Sequence, residues 1–154
     1  MPGFLVDSSV WVAAAFPLHP HHLLALDELE RATPGVPAVF CRATQQSFLR
    51  LISTPQVLRA YQPEMVTNRA ARVAFERLCA RPGIIILDEE PAGTVSLWHQ
   101  FAARDTASPK VWMDAYLAAF AIAGSLDFVT LDRDFLTYRQ HGLRLRLLAQ
   151  LLTP

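Results

Sequence analysis

Three short stretches, FLVD at 4–7, IIIL at 84–87 and FVTLD at 128–132, are apolar at nearly every position before their closing residue. A short strand that is apolar on both faces has to be covered on both faces, which points to a sheet buried between layers. Between these runs lie longer segments with apolar residues at helical spacing, and strands alternating with helices imply an α/β fold with a mainly parallel central sheet and helices on both faces. LRLRLL at 143–148 alternates polar and apolar residues and reads as an edge strand.

The helical segments are punctuated by prolines and glycines. The apolar run after Asp7 closes at Pro17, and PHHLLALDELERA ends at Pro34 and Gly35. AVFCRATQQSFLRLIST reads as one helix of about 16 residues stopped before Pro55. PEMVTNRAARVAFERLCA reads as another, from near Pro63 to before Pro82. PAGTVSLWHQFAARD is helical, and SPKVWMDAYLAAFAIAG has Ser108 at the N-cap, Pro109 at the first helical position and Gly124 at its close. With no internal repeat or linker, residues 1–154 are expected to form one domain, long enough to bury about 70% of the unfolded surface.

Asp7 is the anomaly in this pattern. A carboxylate between apolar runs is partly desolvated, at a cost of several kcal/mol unless something compensates it. Parallel α/β sheets bind ligands beyond the carboxyl ends of their strands, and Asp7 and Asp132 both close strands there. Asp114 lies in the second turn of its helix, on the face continued by Leu117, Ala118 and Ala121, so it too is expected to point inward. Three acids sharing a pocket repel one another unless a hard cation holds them. All-oxygen ligands favour Mg²⁺ or Mn²⁺ over zinc, and such a site is suited to activating water against a phosphate ester. The competing reading of each aspartate, a helix N-cap or turn cap, explains one acid but not three at matching positions.

Composition narrows the field. The formal net charge is zero, yet residues 42–81 hold seven arginines against Glu64 and Glu76, a local +5 balanced by −5 elsewhere. Lys110 is the one lysine of the chain. Cys41 and Cys79 fall in segments read as helices and suggest neither a disulfide framework nor a CxxC metal site. No apolar run approaches the ~20 residues of a membrane span, and a cytoplasmic location is expected. Gly-rich phosphate loops and GxSxG are absent from the sequence. A haloacid-dehalogenase-type reading needs a second acid where Ser9 stands. The HPHH cluster (His19, His21, His22) lacks HExxH spacing and reads as a solvated helix start, and Trp112 and Tyr116, one helical turn apart, read as core or dimer contacts. Arg50 could serve a phosphate, a partner's carboxylate or an internal acid.

The elements LVDSSVW, TQQSFLRLIST, KVWMDAYLAAFA and FVTLDRDF, in this order and spacing, resemble the PIN-domain ribonucleases, specifically the VapC toxins of bacterial toxin–antitoxin pairs. The resemblance implies a metal-dependent endoribonuclease that cuts structured RNA such as tRNA or rRNA, forms a homodimer and is neutralised by a VapB-type antitoxin. Carried over by position, Asp7, Asp114 and Asp132 match the family's metal-binding acids, and Asp134 matches a more variable one. Gln45 stands where a glutamate is common; with Cys41, Phe48, Leu49 and Ile52 it falls on an inward stripe and is expected to line the catalytic pocket. That substitution keeps an alternative open, a catalytically weakened RNA- or antitoxin-binding PIN-like protein. The arginines of 42–81, with Phe48, Leu51, Leu58 and Val73, are expected to form a groove for an antitoxin helix.

Overall fold

The computed structural model describes residues 3–61 and 64–148. Its core is a five-stranded sheet built from β1 (Phe4–Val6), β2 (Ala38–Cys41), β3 (Ile84–Leu87), β4 (Asp127–Thr130) and β5 (Leu145–Leu147). The strand order is β3-β2-β1-β4-β5, and every pairing is parallel. From central β1 the chain winds outward through β2 and β3, then returns to β1's other side for β4 and β5. The reversal opens a crevice between the carboxyl ends of β1 and β4, the place where open parallel sheets take their ligands.

Alternation along the strands divides the core into two layers. Phe4, Val6, Ala38, Phe40 and Val129 face the layer of α1 (Ser8–Ala15), α2 (His22–Glu30), α3 (Arg42–Ile52) and α5 (Asn68–Cys79). Leu5, Val39, Cys41 and Phe128 face α6 (Thr94–Ala102), α7 (Pro109–Ala123) and the 3₁₀ segment Arg133–His141. In the first layer Trp11 stacks on Phe40 with ring centroids 3.8 Å apart, and Phe75 meets Phe40 edge-on at 5.1 Å. Gly83, leading into β3, has φ +82°, and a Cβ there would sit 2.7 Å from the Ala32 and Thr33 backbone, so glycine is required on both counts.

Three expectations change. AVFC is not the first turn of a helix but strand β2; α3 starts only at Arg42, where Thr44 Oγ1 accepts a hydrogen bond from the Cys41 amide at 3.0 Å. Cys41 therefore lies in a strand, and both cysteines are free thiols. The next helix, expected to begin near Pro63, which lies outside the described residues, begins at Asn68 as α5, capped by Thr67, and a short additional helix α4 (Pro55–Leu58) precedes it. Finally, Phe48 and Leu58, expected to line an antitoxin groove, are buried in the core. His22 is tied to the Ala13 carbonyl through Nδ1 at 2.9 Å, and His19 packs on Tyr61. No helix among the described residues is long and apolar enough to cross a membrane.

Candidate metal centre

The crevice between β1 and β4 opens into a cavity of about 320 Å³ lined by Asp7, Asp114 and Asp132 with Ser9, Ser47, Arg50 and Lys110. Each acid arrives for a local reason. Asp7 follows β1 at the N-cap position of α1, yet its side chain makes no capping bond. Its Oδ2 instead accepts from Thr130 Oγ1 at 2.6 Å and Ser9 Oγ at 3.1 Å, and its Oδ1 from Ser8 Oγ at 3.4 Å. The simple capping explanation of Asp7 is thereby removed. Burial raises its pKa, while the hydroxyls of Thr130 and Ser9 oppose that shift by favouring the carboxylate.

Asp132 does cap a turn, but with one oxygen only. Its Oδ1 accepts from the Asp134 amide at 2.9 Å, leaving Oδ2 directed to the Lys110 ammonium at 3.1 Å. Asp114 is delivered by α7, whose Ala115, Ala118, Ala119 and Ala121 are small enough to seat the helix against the sheet. Its side chain is 14% exposed. Desolvation, with the carboxylates of Asp132 and Asp7 adding to it, lifts its pKa to about 6 against the pull of Lys110.

Asp114, Asp132 and Asp134 each present a carboxylate oxygen within 4.8 Å of the others. At an effective dielectric near 20, two unit charges 4 Å apart repel by about 4 kcal/mol, so the ionised cluster requires a cation. Lys110 meets that requirement in the structure. One turn before Asp114, its ammonium lies 3.8 Å from Asp114 Oδ2, 3.1 Å from Asp132 Oδ2 and in contact with Asp134 Oδ2. A positive charge thus already sits where these oxygens converge. The donor set, all oxygen and mostly carboxylate, suits a hard divalent ion such as Mg²⁺ or Mn²⁺. Asp7, buried, lines the same cavity outside the tight trio but close enough to act on Asp114 and Asp132 electrostatically.

Gln45 is not among the residues lining this cavity. On α3 the buried stripe runs through Thr44, Phe48 and Ile52; Ser47 and Leu51 flank it towards the acids, whereas Gln45 and Leu49 flank it on the opposite side, towards α5. The Gln45 amide oxygen accepts from Arg42, which pairs in turn with Asp88 at 2.7 Å. Two contributors went unnoticed in the sequence. Thr130, fully buried, donates to Asp7 and accepts from the Asp132 amide at 3.0 Å, so one hydroxyl links two acids. Lys110 was visible as the sole lysine, but its role depends on the turn that brings Asp132 and Asp134 back over α7.

Known proteins share this arrangement of chain. Residues 4–140 match the family model of the PIN domain. Ribonuclease VapC41 of Mycobacterium tuberculosis is 44% identical over 147 residues, covering 95% of this chain and 99% of that protein. Among solved structures, VapBC2 of Rickettsia felis bound to a promoter DNA fragment superposes with a TM-score of 0.64 at 13% identity, over 96% of this chain and 98% of that one. VapC20 of Mycobacterium tuberculosis, a sarcin–ricin loop cleaving toxin, gives 0.59 at 16% identity, over 88% and 94%. With a parallel sheet, a cluster of aspartates at its switch point and a family match across most of the sequence, the chain belongs to the PIN-domain family, among the VapC ribonucleases.

Proposed function

We propose that this protein is an endoribonuclease toxin that hydrolyses phosphodiester bonds in structured RNA, tRNA or rRNA, using Mg²⁺ or Mn²⁺ held by Asp7, Asp114, Asp132 and Asp134. The observation that carries the reading is the convergence of Asp114, Asp132 and Asp134 oxygens around one cationic position, at a cavity that the buried Asp7 also lines. A divalent ion bound there supplies Lewis-acid polarisation of a phosphodiester and makes water a competent nucleophile at neutral pH. The residues of the chain supply the frame for that chemistry. Thr130 and Ser9 fix the orientation of Asp7 and oppose the effect of its burial by favouring the carboxylate, and the Asp134 amide fixes Asp132 so that a single oxygen is presented. Lys110 supplies a counter-charge for the acids and, at the cavity rim, a donor for a phosphate oxygen.

The family relationship adds partners to this reading. Solved toxin–antitoxin complexes share the fold, which supports a VapB-type antitoxin as the protein that neutralises this one. A homodimer is proposed on the exposed Trp112 and Met113 of α7, the first beside Trp98 of α6 and the second lining the acid cavity, and a cytoplasmic location accords with the RNA substrate. Incubating purified, antitoxin-free protein with total RNA tests the activity. Mg²⁺ or Mn²⁺ should produce cuts at discrete positions that EDTA abolishes; intact RNA under both conditions would favour the weakened, binding-only alternative.

A further inference from the structure

The acid cavity does not stand alone. Along α3 it adjoins a larger cavity of about 610 Å³, between α3 and α5, and the two share Arg50 as a lining residue. On its other side it adjoins a cavity of about 280 Å³ beside the 3₁₀ segment, and those two share Lys110 and Asp114. The outer cavities contribute further cations, Arg72 on the α5 side and Arg104 next to Tyr138 on the other. Three concavities therefore form a row with the acids in the middle cavity and a cationic residue at each junction.

The state of these cations matters as much as their place. Arg42, Arg72, Arg144 and Arg146 are engaged by carboxylates, and Arg72 is taken up by Glu76 of the same groove at 2.8 Å. Arg50 is exposed, and among the described residues its guanidinium makes no ion pair, even though it borders a cavity containing three aspartates. Arg104 is likewise exposed and in no ion pair among the described residues. A planar guanidinium left free at the edge of an anionic cavity is suited to a phosphate oxygen pair. Phe48 and Leu58 are buried beneath the α3–α5 groove, whose apolar lining is confined to Leu49, Ala71 and Phe75, with polar or charged side chains making up the rest.

We infer that the row is a track for an RNA strand, in which Arg50 and Arg104 bind the phosphates on opposite sides of the one held over the aspartates. The inference rests on the ribonuclease reading and adds to it the path of the substrate and two positioning residues outside the acid cluster. A strand so placed is clamped on both sides of the cut, which fixes the reacting phosphate without any base contact. Arg77, in a separate concavity between α1 and α5 that shares no residue with the row, lies off the path.

The test uses the full chain carrying Asp114→Asn to suppress cleavage, with a fluorescein-labelled RNA hairpin as probe and anisotropy as readout over a series of salt concentrations. Adding Arg50→Ala or Arg104→Ala should each weaken binding about fivefold near 0.1 M salt and lower the slope of log Kd against log salt by ~0.7–0.9, the value of one phosphate contact. Arg50→Lys should recover most of the slope, and Arg77→Ala should change neither quantity. Unchanged binding by both alanine variants, or an equal loss with Arg77→Ala, overturns the track. So does a loss confined to binding of an acidic amphipathic peptide, which would make the groove a protein-docking surface. Cleavage by wild type, measured alongside, separates the two levels. Discrete metal-dependent cuts with no effect of Arg50 or Arg104 on binding refute only the track, whereas no cutting and no binding by the parent refutes both.

Discussion

Asp114 has a carboxyl that ionises near pH 6 in the folded chain against 3.8 for an ordinary aspartate. A folded-state pKa above the unfolded value means that the folded state holds its proton more tightly. The resulting stabilisation is fully present below 3.8 and is lost as pH rises through about 6. Metal-free protein should therefore melt at a higher temperature at pH 5 than at pH 7, and Asp114→Asn should flatten much of that difference while stabilising the metal-free protein at pH 7 by about 1–3 kcal/mol. Metal binding needs the carboxylate, so affinity for Mn²⁺ should fall as pH drops below 6. Thermal melts in EDTA at the two pH values check the first statement; a wild type and variant with the same pH dependence would contradict it. With its amide on the α5 side of α3 and Arg42 as its partner, Gln45→Glu should form an ion pair with Arg42 and leave Mn²⁺ affinity unchanged within twofold in a calorimetric titration. A tenfold tightening, worth ~1.4 kcal/mol, would put the side chain back beside the acids.

Among the elements, α7 does most to set the geometry of the site, and its alanines are the means. Ala118 is fully buried against the sheet, one turn after Asp114. Ala118→Leu should force α7 outward, costing about 1–3 kcal/mol in urea denaturation and weakening Mn²⁺ binding although no ligand is altered. Unchanged metal affinity in a destabilised variant would show that the helix position is not what sets the site. This helix was legible in the sequence because Pro109 and Gly124 mark its ends and its apolar face includes an aspartate. β2 was not, because AVFC runs into RATQQSFLRLI without a glycine or proline between them, and an apolar strand ahead of an amphipathic helix has the pattern of one longer helix. Gln45 was misplaced for a related reason. A stripe read from Cys41 includes it, whereas the helix begins at Arg42 and its buried face, Thr44, Phe48 and Ile52, is centred on Phe48, about 60° around the helix from Gln45.

At the scale of the whole molecule, strand order decides where chemistry can occur. Only the reversal between β1 and β4 brings Asp7 and Thr130, 123 residues apart in sequence, to 2.6 Å. The aspartates could be picked out individually because carboxylates in apolar surroundings are conspicuous. Their common counter-charge could not, since Lys110 reaches Asp132 and Asp134 only after β4 has paired with β1 and the following turn has folded back on α7. In the proposed function these acids together hold one kind of ligand, a divalent cation, at the switch point of the sheet. Titrating Mn²⁺ calorimetrically into metal-stripped wild type and into Asp132→Asn tests it most directly. Saturable binding by the wild type, weakened at least tenfold in the variant, is expected; equal affinities, or no binding by either protein, would mean that these aspartates do not form a metal site.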